Sequence, residues 1–112
     1  MTPLPLPVNV LQCAPRGLQA PLTRSNAEAL TGILKAIADP TRLQLLALIN
    51  SQDDKAACVC DLAEAVNLTQ PTVSHHLRVL TEAGLLHREK KGTWVWYSVD
   101  SDRLSTLSAL LD

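Results

Sequence analysis

Three residues, Asn67-Leu68-Thr69, separate two short apolar-striped segments, and this turn constrains the fold of the 112-residue chain more than any other feature. Asn67 suits the left-handed backbone that ends a helix. Thr69 offers a side-chain oxygen to cap the next helix, with Pro71 in its first turn. The segment before the turn reads as a short helix from about Cys58 or Asp61 to Val66. The segment after it runs to about Ala83 and stops at Gly84, with Val73, Leu77 and Leu80 on its inner stripe. Two short helices so joined carry the signature of a helix-turn-helix.

The rest of the chain reads around this pair. Trp94, Trp96 and Tyr97 are its only aromatics besides histidine, and there is no Phe, so the core has to be aliphatic, which favours helices. A first helix is expected near Ser25, capped by Ser25 or Thr23, with Glu28 at capping-box spacing and an inner stripe of Leu30, Ile33, Leu34 and Ile37. Asp39-Pro40 ends it and opens a second helix. In that helix Leu43, Leu46 and Ile49 or Ala47 are expected to face inward, and Leu45 and Leu48 add apolar surface elsewhere. Ser51 to Asp54 form a polar loop. After Gly84 the apolar period changes to two. Leu86–Glu89 and Trp94–Val99 read as strands around the turn Lys90-Lys91-Gly92-Thr93, with Val95, Tyr97 and Val99 on one face. A last helix starts near Asp100 or Ser101, with Leu104, Leu107, Leu110 and Leu111 inward. The expected fold class is mainly α with a small β-hairpin. Residues 1–22 hold five of the seven prolines and read as an extended arm carrying Cys13, ahead of one domain over residues 23–112.

No apolar run approaches the roughly 20 residues that cross a bilayer. The first residues lack positive charge and carry Pro3, Pro5 and Pro7, unlike a secretory signal. A cytoplasmic location is therefore expected, where thiols stay reduced. The three cysteines are too few and too unevenly spaced for a disulfide scaffold. The chain has a formal net charge of −1, but residues 69–92 carry Arg78, Arg88, Lys90 and Lys91 against Glu82 and Glu89 alone. That positive region coincides with the second helix of the pair and the hairpin.

Gln70, Thr72, Ser74, His75 and Arg78 occupy the N-terminal half of the second helix, beside or opposite its apolar stripe. Hydrogen-bonding side chains at that end reach base edges when a helix enters the major groove. Lys90 and Lys91, at the hairpin tip, suit the flanking backbone or the minor groove. His76 falls between the faces, as a packed, hydrogen-bonded histidine or as a DNA contact.

Four stretches carry a family resemblance: Ala38-Asp39-Pro40-Thr41-Arg42-Leu43, Cys58-Val59-Cys60-Asp61-Leu62, Leu68-Thr69-Gln70-Pro71-Thr72-Val73-Ser74-His75-His76-Leu77 and Glu82-Ala83-Gly84-Leu85-Leu86. Over roughly residues 28 to 112 the chain resembles the ArsR/SmtB family of metal-responsive repressors. The resemblance implies a homodimeric winged helix-turn-helix whose terminal helices pair across the dimer. It also puts Gln70, Ser74 and His75 on DNA-reading positions. Physics points to the dimer too: the first and last helices are too apolar for so small a chain to cover alone. A two-fold dimer sets two recognition helices about 34–36 Å apart, one turn of operator DNA.

Cys58 and Cys60 lie two residues apart, about 200° of rotation on a regular helix. They meet at one ion only near a helix start, where the backbone is not yet regular. A helix N-terminus is also expected to lower a thiol pKa. A third sulfur has to come from Cys13, from the same subunit or its partner. Three thiolates suit trivalent arsenic or antimony, and lead(II) also accepts three; cadmium and zinc usually want a fourth ligand. Cys58-x-Cys60 at this place resembles the arsenite-sensing and cadmium/lead-sensing branches of the family. The expected function is a repressor released from operator DNA when As(III) or Sb(III) binds Cys13, Cys58 and Cys60. A cadmium- or lead-responsive repressor, or one switched by a disulfide from Cys13 to Cys58 or Cys60, stays open. A thiol enzyme is disfavoured, since no histidine lies near Cys58 in sequence and no glycine-rich phosphate loop occurs. A zinc site on the last helix is disfavoured because that helix has no His.

Overall fold

The computed structural model describes residue 18 and residues 21–111. Most of the expected arm, including Cys13, lies outside the described residues. The chain builds five helices of more than one turn and a small sheet: α1 (Arg24–Ile37), α2 (Pro40–Asn50), β1 (Ala56–Cys58), α3 (Val59–Val66), α4 (Gln70–Glu82), β2 (Leu86–Lys91), β3 (Trp94–Val99) and α5 (Ser101–Leu111).

Side-chain caps start every one of these helices except α3. Thr23 caps α1, its hydroxyl accepting from the Asn26 amide at 3.1 Å. Ser25 does not cap, and Glu28 instead accepts from Arg24 at 3.0 Å on the exposed face. Asp39 caps α2 by accepting from the Arg42 amide at 3.0 Å, with Pro40 at the first helical position. Asp100 does the same for α5 through the Arg103 amide at 3.0 Å, and His87 Nε2 bonds the other carboxylate oxygen at 3.0 Å. The caps hold the Asp39 and Asp100 carboxyls below their usual range, chiefly through the Arg42 and Arg103 amides respectively. Depressed carboxyls stabilise the fold above the ordinary carboxylate range, and that contribution fades as acid protonates them.

The sheet has three antiparallel strands in the order β1-β3-β2, one more than the expected hairpin. β2 continues through Lys90 and Lys91, which pair with Val95 and Trp94, so the turn is only Gly92-Thr93. Gly92 supplies φ +64° there. α4 stops at Gly84, whose φ is +84° and whose missing Cβ would sit 2.8 Å from the Arg103 guanidinium.

The core is aliphatic as expected, with Tyr97 as its one aromatic among the described residues. Val73, Leu77 and Leu80 of α4 are fully buried against Leu45, Ile49, Leu85 and Leu86. α2 follows the expectation at Leu46 and Ile49 and departs from it at Leu43. It buries Leu45, Leu46 and Ile49, whereas Leu43 is 54% exposed. Apolar residues occur all round this helix, so their spacing left its phase open. On α1, Leu30, Ile33 and Ala36 are buried, while Leu34 is 39% exposed. Leu107 of α5 is buried and Leu104 packs at the core's margin.

The turn of the helix pair closes α3 on Asn67 at φ 56°, ψ 47°. The Asn67 amide donates to the Glu64 carbonyl and the Leu68 amide to the Ala63 carbonyl, the paired bonds of a left-handed helix end. Asn67→Gly is expected to hold stability within about 0.5 kcal/mol, and Asn67→Val to cost about 1–2 kcal/mol, since a branched residue resists this backbone. Urea unfolding followed by circular dichroism measures both; equal stability of the two variants would contradict the assignment.

Candidate DNA interface and dithiol centre

Burial of Val73, Leu77 and Leu80 turns the other side of α4 outward. Gln70, Thr72, His75 and Arg78 are exposed and Ser74 is half-buried. Thr72 is partly occupied locally, because its hydroxyl accepts from the Thr69 hydroxyl at 2.9 Å. Arg78 Nε lies 3.7 Å from Glu82 Oε1, an exposed pair that costs little to break. His76 lies beside this surface rather than on it, at 17% side-chain exposure.

Lys90 and Lys91 are exposed on β2 and not in the turn, a correction to the expected hairpin. The Lys91 ammonium stands 5.7 Å from the Trp96 ring centroid, a weak cation–π contact. An open groove of about 430 Å³ runs between α4 and the sheet, with Ser74, His75 and Arg78 on one wall and Arg88 on the other. Arg88 counts in the positive region of the sequence but is not among the DNA contacts expected from it. Its signal was available, because alternation along a strand puts it on the same face as Lys90. The groove also reaches Val59, the residue between the two cysteines.

Cys58 ends β1 opposite Trp96 and is also the residue from which α3 springs, with extended backbone at φ −90°, ψ 155°. Cys60 is already helical. That change of backbone overcomes the 200° problem, and the Cys58 and Cys60 sulfurs lie 2.7 Å apart. Both are free thiols, Cys58 buried and Cys60 half-buried. The Asp61 carboxylate completes a cluster whose ligand atoms all lie within 4.8 Å of one another. Asp61 was missed as a candidate ligand, although it directly follows Cys60. Paired sulfurs beside one carboxylate fit a thiophilic ion; Cys13 lies outside the described residues.

One electrostatic expectation is overturned. Burial pushes the Cys58 thiol up, the hydrogen bond with Cys60 adds to this, and the Asp61 amide opposes it. Desolvation and a neighbouring sulfur outweigh the helix N-terminus. A divalent soft cation must therefore displace the proton that Cys58 holds. Its apparent affinity is expected to rise with pH, up to about tenfold per unit for each proton displaced. Cadmium(II) titrations followed by sulfur-to-metal absorbance between about pH 6 and about pH 8 would check this, and a flat profile would contradict it.

Comparison with known proteins places this architecture. A family model described as bacterial regulatory protein, arsR family, matches residues 39–88, from the α2 cap into β2. An arsenical resistance operon repressor of Bacillus subtilis is 37% identical over 73 residues, covering 65% of this chain and 68% of that protein. A crystal structure of a possible transcriptional regulator for arsenical resistance superposes with a TM-score of 0.64 at 38% identity, over 72% of this chain and 81% of the other. A solution structure from Mycobacterium bovis, described as a homodimeric winged helix-turn-helix DNA-binding domain, gives a TM-score of 0.66 at 26% identity, over 83% of this chain and 86% of the other. Among the described residues, no helix is long and apolar enough to cross a membrane. The resemblance read from the motifs is borne out: the chain belongs to the arsR family of bacterial regulatory proteins, transcriptional regulators rather than enzymes.

Proposed function

We propose that the chain is a metalloid-responsive repressor that binds operator DNA as a homodimer and lets go when arsenite or antimonite takes its thiols. The observation that carries this reading is the 2.7 Å approach of the Cys58 and Cys60 sulfurs at the first turn of α3. α3 is half of the DNA-reading pair, so whatever those thiols hold acts directly on that unit. Cys13 is proposed as the third sulfur. Gln70, Thr72, Ser74, His75 and Arg78 are proposed to read the major groove, with Lys90, Lys91 and Arg88 on the flanking phosphates. The names of the Bacillus subtilis relative and of the 38%-identical structure support an arsenical signal, and the homodimeric Mycobacterium bovis domain supports the dimer.

The raised Cys58 thiol favours arsenous acid over a bare cation. Each thiol loses its proton to a hydroxide already on arsenic: an S–As bond forms, an As–O bond breaks, and water leaves. No net proton is released, so a high thiol pKa costs arsenous acid little while it penalises a divalent cation. Bonding to one arsenic atom moves the Cys58 and Cys60 sulfurs from their 2.7 Å approach and so shifts Val59 and the α3 start beside the groove. Three residues later in the chain than α3, α4 follows, and the operator contacts lose register. One observation favours a second reading, a cadmium- or lead-responsive repressor: Asp61 offers the oxygen ligand that a cation accepts beside two sulfurs.

Fluorescence anisotropy of a labelled duplex from upstream of the chain's own gene, with arsenite titrated into the reduced complex, tests the proposal. Arsenite is expected to weaken operator binding about 5–150-fold. Cys58→Ser and Cys60→Ser are expected to keep operator binding and resist release. Unchanged release from both variants would remove these thiols from the sensor, and release by cadmium with none by arsenite would select the second reading.

A further inference from the structure

His76 belongs to neither the reading face nor the apolar stripe of α4, yet it takes part in a defined polar contact. Its Nδ1 lies 3.2 Å from Arg42 Nη1 in α2. A guanidinium only donates, so Nδ1 accepts and a neutral ring carries its proton on Nε2. The same guanidinium donates through Nε to the Ala36 carbonyl in the last turn of α1. Arg42's own amide donates to Asp39 Oδ2, which stands 4.0 Å from His76 Nδ1. One arginine thus links the end of α1, the start of α2 and the middle of α4. The His75 ring, centred 5.7 Å from that of His76, lies on the outward side.

Apolar packing buries Val73, Leu77 and Leu80 but is non-directional, leaving small rotations and slides of α4 cheap. A hydrogen bond from a charged donor is directional and strong, which fixes what the stripe leaves loose. We infer that His76 is a positioning residue for DNA reading: accepting from Arg42, it sets the rotation of α4 and so the direction in which Ser74, His75 and Arg78 point. At 100° per residue, a turn of α4 that lost the Arg42 contact would swing those neighbours off their base edges. The inference rests on α4 being the DNA-reading helix.

The test compares operator and scrambled duplexes by anisotropy for His76→Leu, His76→Asn, Arg42→Met and the double variant His76→Leu/Arg42→Met. Leu fills the site without an acceptor, whereas Asn places an oxygen close to where Nδ1 stood. His76→Leu and Arg42→Met are each expected to weaken operator binding about tenfold. Binding to the scrambled duplex and its salt slope should stay as in wild type, because no phosphate contact is lost. The double variant should be no worse than either single, and His76→Asn should recover most of the loss. Thermal melts verify folding, and Arg42→Met carries the test if His76→Leu does not fold. Additive losses, a harmless Arg42→Met, or His76→Asn no better than His76→Leu would overturn the inference. A wild-type protein that fails to prefer operator over scrambled DNA would instead overturn α4 as the reading helix.

Discussion

The structure depends first on burying one face of α4. In a chain with no Phe, the core has to come from aliphatic side chains, and Val73, Leu77 and Leu80 are among its most buried members. Placing them against α2 and the start of β2 decides which side of α4 faces outward. The polar N-terminal half of the helix is exposed because the other half of its circumference is committed. The neighbouring elements then settle around this contact: Asn67 and Thr69 set the entry of α4, and Gly84 its end. The buried stripe sets which face of α4 is turned inward, and the Arg42–His76 contact adds a directional hold on the same helix.

The dithiol centre is attached to the same frame by its backbone. β1 pairs with β3, and that pairing holds Cys58 extended up to the residue where α3 begins. Without the pairing, Cys58 and Cys60 would diverge around a helix. With it, two thiols meet at the joint between the wing sheet and the helix-turn-helix. Burial raises the Cys58 thiol, and in the proposed function this bears on the class of inducer. A raised Cys58 thiol works against ions that need a thiolate in advance.

Much of this was legible in sequence where the pattern was local. The stripe of α4, the Asn67 turn, the Asp39-Pro40 corner and the alternation of β3 each rest on contacts a few residues apart, and each reads correctly. β1 was not legible. Ala56-Ala57-Cys58 has neither alternation nor β-branched side chains, and it is a strand only because Tyr97 and its neighbours, some 40 residues away, pair with it. The phase of α2 was not legible either, because Leu43, Leu45, Leu46, Leu48 and Ile49 surround the helix and only the packing of its neighbours selects a face. At the candidate site, the Cys58–Cys60 pair was legible from spacing plus a helix start. The direction of the Cys58 pKa was not, since it depends on burial that no spacing reports. Arg88 and Asp61 were within reach of sequence reasoning, each one step along a pattern already in use.

In the proposed function the dithiol centre and the DNA-reading helix share one free energy. Coupling between two binding sites is reciprocal, so operator DNA has to weaken the protein's hold on arsenite by the same factor by which arsenite weakens its hold on operator. The direct measurement is the arsenite affinity of the reduced protein, by calorimetric titration, with and without saturating operator duplex. Weaker arsenite binding is expected on the operator complex, by a factor equal to the loss of DNA affinity. Equal arsenite affinities in the two titrations would contradict it, because thiols at the start of α3 would then be indifferent to whether α4 is seated on DNA.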